Sequence, residues 1–209
     1  IRETSPSTYH YTRMDIRDPL LADLIRDKQI THVIHLASIV SPGADPERDF
    51  DIDINGTRNL LKACVAHNVG HITVTSSGAA YGYYADNPAW LKETDTLRGN
   101  ASFSYSYHKR LIEEMLKDYR VKAPQLKQLI LRPGTVLGKH TDNMITNLFR
   151  KNRLLAIQGS ASPFVFIWDE DVVNILRSGC ENSISGIFNL AGDGAMTIQE
   201  IAAVLGKKN

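Results

Sequence analysis

Three short aliphatic runs, at residues 31–37, 71–76 and 127–131, are each separated from the next by a long stretch with helical periodicity. This alternation constrains the chain more than any other feature. Strand-length runs rich in Val, Ile and Leu, spaced by helices, cannot pair as hairpins. They build βαβ units and therefore a parallel sheet with helices against its faces. The helix at 46–67 turns Leu60, Leu61, Cys64 and Val65 inward, and the helix at 104–119 does the same with Ile112, Met115, Leu116 and Tyr119. In such sheets chemistry gathers beyond the carboxyl ends of the strands. Those ends are Ala37-Ser38, Ser76-Ser77 and Arg132-Pro133-Gly134, each followed by small or polar residues.

Smaller elements fill in the rest. The spacing predicts a short strand at 9–14, a helix from Pro19 to Lys28, a helix at 143–148, and strands at 155–157, 164–167 and 186–190. Asp169, Glu170 and Asp171 open a helix running to about Cys180, and Thr197 starts another. A long polar loop covers 83–101. The polar opening at 2–8, the start on Ile1 and the barely finished helix at the other end read as cut termini.

Continued backwards, the inward stripe of the 104–119 helix meets Lys109 and then Tyr105, one turn apart. Lysines are almost never buried without a partner. An ammonium beside a phenol favours phenolate and lowers the Tyr pKa from about 10, which makes a tunable acid/base. Tyr107, two residues from Lys109, points elsewhere. Glu113 and Lys117 pair at i, i+4 on the wet side. Taken alone, Tyr-x-x-x-Lys is equally what an amphipathic helix with an aromatic start would show.

Composition narrows the function. A formal net charge of +1, with no basic run, gives no reason to expect nucleic acid or a membrane surface as partner. No apolar run reaches transmembrane length. Cys64 and Cys180 read as unbridged thiols, which fits a cytoplasmic protein, and the seven histidines show no ligand spacing, so no metal is expected.

Taken in order, several segments resemble the extended short-chain dehydrogenase/reductase family, the NAD-dependent epimerase/dehydratase group. They are Asp15-Ile16-Arg17-Asp18, His35-Leu36-Ala37-Ser38, the run from Thr75 to Gly82, the Tyr105/Lys109 pair, and Leu131-Arg132-Pro133-Gly134. Segments 164–172 and 186–191 resemble the family's later substrate-domain signatures. The resemblance implies a Rossmann-like α/β domain over 1–134 and a small, mainly substrate-binding lobe over 135–209, with 164–172 and 186–191 returning to the core. It implies NAD or NADP as cofactor, held by Asp15 and Ile16 (adenine), Leu36, Ala37 and Ser38 (ribose and pyrophosphate side), Thr75, Pro133 (nicotinamide side), and Tyr105 and Lys109. It also implies catalysis by Ser77, Tyr105 and Lys109: Tyr105 exchanges a proton with a substrate hydroxyl, Lys109 lowers its pKa, and Ser77 steadies the same oxygen. A turn or cap role for Ser77, and a turn or N-cap role for Asp15, stand beside these.

The implied substrate is a small molecule with a hydroxyl or ketone carbon, such as a nucleotide sugar. A hydroxysteroid- or dihydroflavonol-type ketone reductase would use the same trio, and a non-catalytic dinucleotide sensor would use the same fold. A homodimer through the two long helices is expected. Three departures stand out. No Gly-x-x-Gly-x-x-Gly occurs among the 14 glycines, so the first βαβ unit of the family pattern is expected to be absent from this chain. Asp53 stands where many members have asparagine. Trp168 stands where histidine is usual, and no tyrosine follows Arg132-Pro133.

Overall fold

The computed structural model describes residues 9–41, 43–157 and 162–208; Pro42 and the opening stretch 1–8 lie outside them. Its centre is a parallel sheet of β1 (His32–His35), β2 (His71–Thr75), β3 (Lys127–Pro133) and β7 (Gly186–Leu190), in that spatial order. The register aligns Ile34 with Thr73, Thr73 with Leu129, and Leu129 with Gly186, so the strands finish together at one end. Parallel sheets are covered on both faces, and β2 is buried along His71, Ile72, Thr73 and Val74.

One face is covered by α1 (Leu21–Asp27), α3 (Thr57–Ala66) and α4 (Ser104–Lys122), where Ile25, Leu60, Leu61, Cys64, Ile112 and Leu116 pack on Ile72, Val74 and Ile130. Leu61, Ile72, Leu116 and Ile130 are fully enclosed, each burial stabilising by about 1.5–3 kcal/mol. The opposite face takes α6 (Asp169–Glu181), whose Val172, Ile175 and Leu176 meet Leu129, Leu131, Ile167 and Leu190. A Cβ at Gly179 would come within 2.3 Å of a Leu129 methyl, so α6 sits on β3 at glycine distance.

The long helix starts as expected. Asp45 caps it by accepting the Arg48 N–H, and Pro46 occupies its first turn, where a missing N–H costs nothing. It is not uniform, however. After α2 (Pro46–Phe50) it widens into a π-helical stretch, Asp51–Gly56, before α3. The Thr57 hydroxyl donates to the Asp53 carbonyl at 2.5 Å inside this stretch, and Gly56 lies where a Cβ would strike Ile16. Such bulges recur at functional sites.

Several sequence expectations are corrected. Residues 9–14 form no strand: strands exist through cross-strand bonds, β1 pairs only with β2 among the described residues, and Tyr9 and Tyr11 are exposed. The first helix begins at Leu21 rather than Pro19, because the Asp18 carboxylate and carbonyl take the Leu20 and Leu21 N–H groups and hold Pro19-Leu20 in a turn. Residues 155–157 lie outside any ladder, with Leu155 and Ile157 exposed. The run at 164–167 divides at Val165. β5 (Pro163–Phe164) pairs antiparallel with β8 (Met196–Thr197), while β6 (Phe166–Trp168) pairs parallel with β4 (Thr135–Leu137). Capping side chains start the last two small helices: Asn143 for α5 (Met144–Arg150) and Thr197 with Glu200 for α7 (Ile198–Val204).

Candidate active site

The carboxyl ends of β1, β2 and β3 face the first turns of α4. A 3-10 turn, Gly78–Tyr81, leaves β2 with Ser77 as its cap, the hydroxyl accepting the Ala79 N–H at 3.1 Å. Ser106 locks α4 to this turn, donating to the Ala79 carbonyl at 2.6 Å and accepting the Asn100 N–H at 3.0 Å. Lys109, 5% exposed, reaches back to the sheet and donates to the Thr75 carbonyl at 2.9 Å. Its ammonium lies 5.6 Å from the centre of the Tyr105 ring. Ser77, Tyr105 and Lys109 thus face one small volume, drawn from two elements that the Ser106 bonds join.

Their electrostatics differ from the expectation. Burial pushes the Tyr105 phenol above its ordinary pKa; the Ser77 hydroxyl pulls it down without closing a full hydrogen bond, and the Asp53 charge pushes it up. Lys109 does not lower it. Burial instead lowers Lys109 itself to about 8, against the opposing charges of Asp53 and Glu113. The physical reason is competition: with its ammonium satisfied by the Thr75 carbonyl, the enclosure of the phenol outweighs a cation at ring distance.

Beneath the trio lies a buried network that sequence reasoning missed. Glu113 was expected on the wet side beside Lys117; it is 3% exposed and points into the core. It accepts Ser76 Oγ–H at 2.5 Å and forms a forked pair with Arg132, whose Nη2 lies 2.6 Å from its Oε2. Arg132 donates onward to the Tyr81 hydroxyl at 2.6 Å, and that hydroxyl donates to Asn189 Oδ1 at 2.8 Å. The signal was available: Glu113 follows Lys109 by four residues and so shares its inward face.

The residues expected at the cofactor divide into two groups. Asp15 and Ile16 sit against the 51–59 segment: Asp15 pairs with Arg17 at 2.7 Å, Arg17 with Asp51 at 2.8 Å, and Asn59 donates to the Ile16 carbonyl at 2.9 Å. The Arg17 guanidinium holds the Asp15 carboxyl well below the usual carboxylate range. No hydrogen bond joins this group to the trio. The second group lines the strand ends, with Leu36 and Ala37 exposed after β1 and Pro133 buried at the end of β3. Ser38 Oγ and Thr75 Oγ1 are enclosed hydroxyls without a hydrogen-bond partner, the state of polar groups positioned for a polar ligand. His35 bonds Thr57 at 3.0 Å, and burial lowers its pKa to about 4, so it is neutral. Trp168 lies elsewhere, on an apolar cleft of about 420 Å³ formed by residues after β3, with Leu137, Phe149, Phe166 and Met196. Among the described residues no three His, Cys, Asp or Glu side chains gather as a metal ion would need, and no helix is long and apolar enough to cross a membrane.

A parallel sheet whose strand ends face a Tyr-x-x-x-Lys helix is a Rossmann-like arrangement. The chain belongs to the NAD dependent epimerase/dehydratase family, whose model matches residues 2–191. It is 22% identical over 193 residues to an uncharacterised protein of Mycobacterium tuberculosis, covering 91% of this chain and 51% of that protein. It is 30% identical over 135 residues to the UDP-glucose 4-epimerase of Yersinia pestis, covering 63% and 39%. The chain therefore spans about half the length of the curated relatives it matches along most of its own. Among solved structures, the UDP-glucose 4-epimerase of Thermus thermophilus in complex with NAD superposes with a TM-score of 0.74 at 25% identity, covering 93% of this chain and 68% of that one. The UDP-N-acetylglucosamine 4-epimerase of Methanobrevibacter ruminantium superposes at 0.77 and 25%, covering 93% and 66%.

Proposed function

We propose that the chain carries the acid/base centre of an NAD-dependent nucleotide-sugar epimerase, with Tyr105 as general acid and base. The observation that carries this is the convergence of an enclosed Lys109, its ammonium 5.6 Å from the Tyr105 ring, with a Ser77 hydroxyl that acts on the same phenol. Relatives and structural neighbours named as nucleotide-sugar 4-epimerases support the substrate class.

The residues present fit NAD at its adenine and nicotinamide ends, while no glycine-rich turn for the pyrophosphate occurs among the 14 glycines. Ser38 and Thr75 offer unpaired hydroxyls, Leu36 and Ala37 an open apolar lip, Pro133 a buried edge, and Asp15 with Ile16 an acidic turn for the adenine end. When bound, NAD supplies reversible hydride transfer at a carbinol carbon. Tyr105 takes the proton of the substrate hydroxyl as that carbon is oxidised to a ketone and returns it to the same oxygen on reduction; inversion comes from re-forming the C–H bond on the ketone's opposite face. Ser77 donates to the same oxygen as charge develops there. Lys109, held by the Thr75 carbonyl, supplies a fixed cation at the phenol's side.

Tyr105→Phe tests the proposal. Turnover of a UDP-sugar panel should fall by about 10²–10⁴-fold, the usual worth of a positioned acid/base, while NADH fluorescence still reports cofactor binding. Unchanged turnover would remove Tyr105 from the mechanism. The proposal includes a homodimer through the helices at 46–66 and 104–122, and light scattering at micromolar concentration distinguishes it from a monomer.

A further inference from the structure

Asp53 is a buried carboxylate that the mechanism above does not use. Its side chain is 0% exposed, within the π-helical stretch. One oxygen accepts the Ile39 N–H at 2.8 Å, and the other takes His108 Nδ1–H at 2.8 Å. Ile39 continues the loop that leaves β1 through Leu36, Ala37 and Ser38, and His108 immediately precedes Lys109. One side chain therefore joins the loop on the proposed cofactor side to the helix that carries the proton-transfer groups. Phe50 closes over the pair, edge-on to the His108 ring at 5.5 Å.

A neutral amide could not make both bonds in this form. Asparagine has one oxygen for Ile39, and its NH₂ would face His108 as a donor. Accepting from both partners takes a carboxylate, which brings a charge into an enclosed site where charges act strongly. The titratable groups around it are His108, Lys109 and Tyr105 from α4, His35 from β1 and Asp49 one turn earlier on its own helix, with Glu113 acting on Lys109 from the far side. Asp49 is itself bonded to the Gly43 N–H at 2.6 Å, so the loop after β1 is held at two points.

The geometry points to Asp53, partnered by His108, as a positioning residue of the Tyr105–Lys109 pair: its two hydrogen bonds clamp α4 to the β1 exit loop. Its negative charge, acting on both groups, favours their protonated forms. This rests on the acid/base role assigned to that pair, but its electrostatic half can be measured without substrate or cofactor. Removing the charge favours phenolate at Tyr105 and the neutral amine at Lys109, so both should titrate at lower pH.

The experiment follows the Tyr105 phenol by NMR of isotope-labelled tyrosine, with Tyr105→Phe assigning its signal among the eight tyrosines. In Asp53→Asn the midpoint should fall by about one pH unit, and the same shift should appear in the pH–rate profile. Asp53→Ala should shift it in the same direction and melt at a lower temperature than Asp53→Asn, because the Ile39 tether is also lost. A folded Asp53→Asn with the wild-type midpoint overturns the inference. If Asp53→Asn does not fold, Asp53→Ser carries the test: the charge is again removed and the midpoint must fall. A midpoint that stays or rises overturns the inference. A shifted midpoint without epimerase turnover would leave the clamp standing and remove the proposed function instead.

Discussion

Under the strand ends, Glu113 and Arg132 are each about 3% exposed and meet at 2.6 Å, with Ser76, Tyr81 and Asn189 completing the bonds. Around the small helices α5 and α7 the interior is of another kind. Phe149, Phe164 and Phe166 pack with ring centres 5.5–6.1 Å apart, and much of the polar bonding lies at helix starts such as Asn143 and Thr197. The first arrangement fixes directions, because a charged fork has one good geometry. The second fills a shape, which neighbouring apolar side chains can adjust to fill again. A region that must hold a phenol, an ammonium and a hydroxyl in register benefits from the first. A region bearing an apolar cleft needs only the second.

Breaking the buried pair should therefore have the larger effect. Glu113→Ala leaves Arg132 charged and unpaired in the core, and stability should fall by about 3–5 kcal/mol, read from urea unfolding. If the loss stays below about 1 kcal/mol, water or a neighbour replaces the carboxylate, and the contrast between the two regions fails. The apolar region should respond far less. Asn143→Ala removes a side chain that accepts the Ile145 and Thr146 N–H groups and donates to the Val136 carbonyl at 3.1 Å. The expected cost is about 1 kcal/mol. Hydrogen exchange should show the change confined to α5 and β4, with the β2 and β3 amides unaffected; faster exchange there would mean that the two regions are coupled and would break the contrast between them.

How much of this was legible in the residues can be judged position by position. The inward stripe of α4 contains Lys109, which the structure buries as that spacing requires. The i, i+4 spacing sets Glu113 beside Lys117 on an exposed face, whereas its actual partner, Arg132, lies 19 positions away on another element. Asp53 was noticed only as a departure from a family pattern. Its bonds to Ile39 and His108 join segments 14 and 55 residues apart, and no local spacing announces them. The run at 164–167 read as one strand because its composition is uniform. Only the presence of two different partner strands divides it at Val165.

The sequence by itself determined the alternation of strand and helix, the parallel sheet that follows from it, and the one-turn spacing that sets a phenol beside an ammonium. These depend on periodicity and short-range sterics, which neighbouring residues encode. Tertiary structure alone decided which carboxylates are enclosed, which cation each one meets, and whether burial or charge governs the phenol. Those outcomes depend on the register in which distant segments come together, and on how completely their packing excludes water.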